Sequence, residues 1–190
     1  MKIEINIPRL ESKRLILRGY DPEQDLDRLA AFMETEKSRF FMGPMDRYGA
    51  WRLGCAFVGH WAQRGFGLFA IEEKTTGDFS GLVGPWAAET WPEPELAWLV
   101  LADKEGRGFA TEAALCARNF IYDDLGWTTI ASAIEPDNAG SIKVAERLGA
   151  TADYEHALPN GGTVVYYRHP APEVVQCRCA AISHGWKPTA

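Results

Sequence analysis

The sequence predicts a mixed α/β domain on a mostly antiparallel sheet of about seven strands, with a central parallel pair, flanked by about four helices. Three observations lead there. Short strand-like runs follow one another across compact Gly-containing turns, the pattern of antiparallel hairpins. Segments of helical periodicity interrupt them. Only Glu95 to Leu101 and Thr128 to Ile134 are joined through a helix, the connection that parallel neighbours need. The 190 residues suit a single domain with a sizeable core, assigned here to 1–170, and a tail over 171–190.

The elements read as follows. "RLILRGY" (Arg14 to Tyr20) alternates apolar and polar residues as a half-buried strand does. Asp21 is placed to N-cap a helix with Pro22 at its first position, running through about Met33. Tyr48 to Gln63 forms a second, aromatic-rich helix. "GLFAIEE" (Gly67 to Glu73) and "FSGLVGPW" (Phe79 to Trp86) pair across "KTTGD", and "ELAWLVL" (Glu95 to Leu101) follows. Beyond "KEGRG", Phe109, Ala113, Cys116 and Phe120 recur at four-three-four spacing, one buried face of a helix that ends near "DDLGW". "TTIASAI" (Thr128 to Ile134) is a strand. Asp137 or Asn138 then starts a helix with Ile142, Ala145 and Leu148 on one face and Gly149 as its stop. "ATADYEHAL" and "TVVYYRH" close the fold as a strand pair around "PNGG".

Composition narrows the partners. A net charge of −6, with 46% hydrophobic and 24% charged residues, is that of a soluble fold and speaks against a general binder of nucleic acid or membrane surfaces. "MKIEINIPRLESKR" lacks the apolar run of a signal peptide, and "AWLVLA" (Ala97 to Ala102) is far too short to cross a bilayer, so a cytoplasmic location is expected. Cys55, Cys116, Cys177 and Cys179 make no paired CxxC pattern; they are expected to be free thiols, with the "CRC" spacing incidental and no metal bound. The tail beyond Pro170 carries no readable site; it is either disordered or laid over a neighbouring subunit, which leaves a homodimer open.

The chemistry centres on "KEGRGFATEA" (Lys104 to Ala113), where two glycines lead into a helix. Gly106 and Gly108 can adopt backbone angles closed to other residues and let a ligand approach the main chain. The first N–H groups of the helix, near Gly108 to Thr111, have no helical partner and sit at the positive end of the dipole. Such a turn suits a phosphate or diphosphate, or it is a tight loop with no ligand. It lacks the GK[ST] of a Walker loop, and a Rossmann fingerprint would need a third glycine near Thr111 and an earlier place in the chain.

"GRGFATEA" resembles motif A of the GNAT superfamily of N-acetyltransferases, QxxGxA or RxxGxA, with Gly108 and Ala110 at the small positions and Glu105 where the common form has Gln or Arg. "EPDNAGSIKVAERLGA" is similar to the family's NxxS segment, with Asn138 and Ser141 at its polar positions, and "LESKRLILR" resembles the opening strand of the branch that includes ribosomal-protein N-terminal acetyltransferases. Together they span roughly Leu10 to Arg168. The resemblance implies a sheet splayed beside "AWLVL". It places the pantetheine arm of acetyl-CoA along the backbone of Trp98, Leu99 and Val100, and the diphosphate over Gly106, Arg107, Gly108, Phe109, Ala110 and Thr111. Asn138 and Ser141 would line the thiol end; their alternatives are a plain N-cap and a solvated first-turn residue.

Acetyl transfer needs an unprotonated amine, and an α-amine titrates near about 8 and a lysine near about 10.4, so a base is required. Glu95 opens the central strand where this branch often carries a carboxylate; the alternative is a solvated strand end. Tyr167 resembles the family's thiolate-protonating tyrosine, with packing as its alternative, and Tyr166 points to the opposite face. His60 with Trp61 is a further candidate, with a structural histidine on a helix as its alternative. Trp51, Phe57, His60, Trp61 and "FFMGPM" (Phe40 to Met45) form either an aromatic lip over the acceptor or core. The acidic "WPEPE" favours a cationic amine. The expected function is transfer from acetyl-CoA to a small amine or a protein N-terminus by direct attack. The rival is a non-catalytic acyl-CoA sensor using the same cradle.

Overall fold

In the computed structural model, which describes residues 5–89, 91–159 and 161–172, the hairpin pattern becomes one mixed sheet. Strands β1 (Leu10–Glu11) and β2 (Leu15–Arg18) lead into α1 (Pro22–Met33), a 3₁₀ turn (Glu36–Phe40) and α2 (Arg47–Arg64). Next come β3 (Phe69–Glu73), β4 (Phe79–Trp86), β5 (Glu95–Val100) and α3 (Phe109–Asp123). The chain continues through β6 (Ala131–Ile134), α4 (Ala139–Arg147), β7 (Thr151–Ala157) and β8 (Thr163–Arg168). The order across the sheet is β1-β2-β3-β4-β5-β6-β8-β7. β5 and β6 are the parallel neighbours and every other pair is antiparallel.

Local chemistry sets the boundaries. The Asp21 carboxylate accepts from the Glu23 N–H at 2.9 Å, and Pro22, which has no N–H to satisfy, begins α1. Asp46 caps α2 by accepting from Gly49 N–H at 2.8 Å, and Gly65 ends that helix in the left-handed region at φ 71°. Among the described residues the sheet has eight strands, the extra one being Leu10–Glu11, which pairs with Leu17–Ile16 and at two residues is too short to display periodicity. One boundary is corrected. The sixth strand starts at Ala131 rather than Thr128, since Ala131 is where pairing with Glu95 begins.

Helices cover both faces. Leu15, Leu17, Phe69, Ile71, Val83 and Leu96 pack against the apolar face of α3. Residues of the opposite pleat, among them Ala70, Leu82 and Leu99, pack under α1 and α2. The tail from residue 173 onward, with Cys177 and Cys179, lies outside the described residues; Cys55 is exposed, Cys116 is buried, and neither is in a disulfide among the described residues. Among the described residues no helix is long and apolar enough to cross a membrane.

Candidate active site

The glycine turn sits between β5 and α3. Gly106 and Gly108 have φ of 73° and 77°, and Gly108 is the left-handed N-cap of α3. A Cβ built at Gly106 would meet nothing within 4 Å, and one at Gly108 would meet only the Arg14 guanidinium at 3.5 Å. Both glycines thus have open space where a side chain would project. Arg107, expected at the diphosphate, is already engaged. Its guanidinium donates to both oxygens of Glu73, which also accepts from Lys104 Nζ at 2.7 Å and Thr75 Oγ1 at 3.1 Å. The Arg107 and Lys104 cations hold the Glu73 carboxyl down to about 2. With that charge offset, attraction for an anion falls on the backbone amides and the helix dipole. On the other side Arg14 donates to the Arg107 carbonyl at 2.8 Å and to Glu112 at 2.6 Å. Phe109 is buried in the core between the Arg14 and Arg107 guanidiniums, so only its main chain is available to a ligand.

β5 and β6 share the single register pair Glu95↔Ala131, so β5 beyond that point presents an open edge toward β6. Trp98, Leu99 and Val100 lie on this edge, directly before the turn. The Trp98 indole N–H donates to Ser141 Oγ at 3.2 Å, bringing β5 and α4 together. Asn138 caps α4, its Oδ1 accepting from Ser141 N–H at 3.1 Å; its amide donors take no part in that bond.

Glu95 stands at the branch point and is 8% exposed, which rules out the solvated strand end. Burial pushes its carboxyl up to about 7, against a lowering contribution from the Ala133 N–H that donates to it at 3.1 Å. Glu93, by contrast, is paired with Arg168 at 2.6 Å and Tyr154 at 2.8 Å, so little of the acidity of "WPEPE" is free. By strand alternation Glu95 shares the α1/α2 face with Ala97 and Leu99. Tyr167 lies on the other face, partly buried with Trp98 and Ile142 against α4. Tyr166 is fully buried on the face of Glu95, stacked on Tyr154 at 4.7 Å, and burial raises its hydroxyl pKa.

The aromatic segment divides. Phe57 and Trp61 are core, whereas Tyr48 (65% exposed) and Trp51 (47% exposed) stack on each other at the surface. Of the two readings of His60, base or structural histidine, the contacts are those of the structural one. Its Nδ1–H donates to Phe66 O at 2.7 Å, its Nε2 accepts from Ala87 N–H at 3.2 Å, and the ring stacks on Trp86. Both nitrogens are occupied in tying α2 to the end of β4.

A second buried imidazole, His169, was not legible in the sequence. Burial lowers it from 6.5 to about 3, and burial also lowers His60. Depressed folded values mean that both contribute stability above about pH 6.5 that is lost as pH falls toward those values. We expect the melting temperature to fall on acidification from pH 6.5 to 4, and a His169→Gln variant to fall less steeply from a lower start. Parallel curves would contradict the assignment. Among the described residues no group of three or more His, Cys, Asp or Glu is arranged to hold a metal.

The fold is the one that the resemblance implied, and the comparisons agree. The acetyltransferase (GNAT) domain model matches residues 14–151, and the chain belongs to that family. An acetyltransferase from Agrobacterium tumefaciens is 32% identical, with a TM-score of 0.79 over 90% of this chain and 99% of that one. YkkB of Bacillus subtilis, an uncharacterized protein, is 32% identical over 97 residues, which is 47% of this chain and only 56% of YkkB. RimL, a ribosomal-protein α-N-acetyltransferase in complex with coenzyme A, shares the fold at 18% identity, with a TM-score of 0.68 over 85% of this chain and 97% of that one.

Proposed function

We propose that the chain transfers an acetyl group from acetyl-CoA to a primary amine, either a small amine or a protein N-terminus, by direct attack within a ternary complex. The observation that carries this reading is the buried Glu95 carboxylate at the point where β5 and β6 part, beside an open strand edge that ends in a glycine turn. Acetyl-CoA supplies an activated acyl group as a thioester. Glu95 takes a proton from the acceptor ammonium, directly or through a water, the freed amine nitrogen bonds to the thioester carbon, and as the C–S bond breaks the nitrogen gives up its second proton to water and leaves as the neutral amide. Free N–H groups of β5 offer donors to the developing oxyanion. Tyr167, on the opposite sheet face beside α4, is assigned the proton that the departing thiolate takes up. Trp98, Leu99 and Val100 hold the arm, Gly106 to Thr111 the diphosphate, and Asn138 and Ser141 the thiol end.

The acceptor is found by measuring thiol release across a panel of small amines and peptide N-termini. Turnover with a member of either class supports the proposal. Tight acetyl-CoA binding without turnover on any amine would make the protein an acyl-CoA sensor instead.

A further inference from the structure

We infer that Ser132 is a positioning residue of the acyl slot, holding β5 and β6 at the separation that the acetyl-CoA arm needs. This rests on the acetyl-CoA reading above. These strands share the single register pair Glu95↔Ala131. One residue past it, the Leu96 carbonyl accepts a hydrogen bond from the Ser132 hydroxyl at 2.6 Å. A side chain thus reaches across where a continued ladder would have placed a backbone N–H, and the strands stay tethered while their main chains separate.

The hydroxyl is itself held from behind. His169 Nε2 is 3.0 Å from Ser132 Oγ, and His169 Nδ1 is 3.4 Å from an Arg118 guanidinium nitrogen. A guanidinium only donates, so Nδ1 accepts, Nε2–H donates to Ser132 Oγ, and the Ser132 O–H is left to donate to Leu96 O. The direction of every bond in the chain follows from its two ends. Arg118 also donates to Leu148 O at 2.6 Å, at the C-terminus of α4, and His169 N–H donates to Ile130 O at 3.0 Å. The relay therefore ties α3, the end of α4, and the residues flanking β6 and β8 to the branch point of the sheet.

Ser132, His169 and Arg118 are 2, 3 and 4% exposed, and among the described residues no carboxylate pairs with Arg118. Apolar side chains would fill such a space at lower cost than a buried cation, an imidazole and a hydroxyl, so what the polar chain adds is geometry. It is also in contact with the slot. The His169 ring meets Trp98 edge-on at 6.4 Å between centroids, and Trp98 begins the stretch of β5 assigned to the arm.

The test separates the arm from the nucleotide. Calorimetry compares wild type with Ser132→Ala for two probes: acetyl-CoA, and adenosine 3′-phosphate 5′-diphosphate, which has the diphosphate and no arm. We expect Ser132→Ala to bind acetyl-CoA at least about tenfold more weakly and the arm-less nucleotide within about twofold of wild type. Ser132→Thr, which keeps the hydroxyl, should restore most of the difference. If the alanine variant does not fold, Ser132→Cys, with a weak donor of similar size, reads the same ratio. Equal affinities for both probes in a folded variant, whatever its melting temperature, would overturn the inference and leave the cofactor reading standing. Wild-type protein that binds neither probe would remove the cofactor reading and this inference with it.

Discussion

Replacing Glu95 by Gln is expected to lower kcat for acetyl transfer by about 10²–10⁴, the range for a lost general base, while acetyl-CoA affinity stays close to wild type. Glu95 is buried at the branch of the sheet, and desolvation raises its carboxyl to about 7. Such a group is partly deprotonated at neutral pH and still basic enough to accept a proton from an α-ammonium near about 8. In wild type kcat/KM should therefore climb as pH passes through about 7, and the residual rate of Glu95→Gln should lack that limb. Stability moves the other way. A folded pKa raised from 4.5 to about 7 contributes stability that is complete below 4.5 and lost as pH rises through about 7. Glu95→Gln should thus melt higher than wild type at pH 8 and show little difference at pH 4. An unchanged kcat would remove Glu95 from the mechanism, and a lower melting temperature at pH 8 would contradict the burial that tunes it.

The second large effect is expected at the turn. Gly108 has φ 77°, where a branched side chain is strained by about 1–3 kcal/mol, and its neighbour in space is the Arg14 guanidinium. Gly108→Val should weaken acetyl-CoA binding by at least about tenfold, or ~1.4 kcal/mol. Two causes combine: the turn relaxes away from the geometry that presents its amides, and the added methyls enter the space beside the main chain. Gly108→Ala should show a smaller loss. A folded valine variant with unchanged affinity would mean that the diphosphate rests elsewhere.

What could be read from the sequence was local. Asp21–Pro22 declared the start of α1 through cap chemistry, the Asp137–Asn138 pair that of α4, and the glycines of "KEGRG" the turn, because each signal lies within a few residues of its effect. The parallel pair was legible too, since a helix must intervene between its strands. The burial of Glu95 was not, because a carboxylate in "PEPELAW" reads equally as a solvated strand end until neighbouring strands cover it. Nor was the capture of Arg107 by Glu73, 34 residues away, which turns an expected anion contact into a brace for the turn. The Arg118–His169–Ser132 relay joins positions 51 and 37 residues apart, and no spacing rule connects them. For His60 the sequence left a base and a structural histidine as alternatives, and backbone groups of Phe66 and Ala87 decide for the second.

The account depends most on the open edge of β5 being a cofactor site rather than a flaw in the sheet. A crystal structure of the protein soaked with acetyl-CoA tests this directly. It should show the diphosphate against the amides of Gly106 to Thr111, the arm paired with Trp98 to Val100, and the thioester in the slot beside Glu95. An arm bound elsewhere, or β5 and β6 zipped together past Glu95 and Ala131, would contradict it.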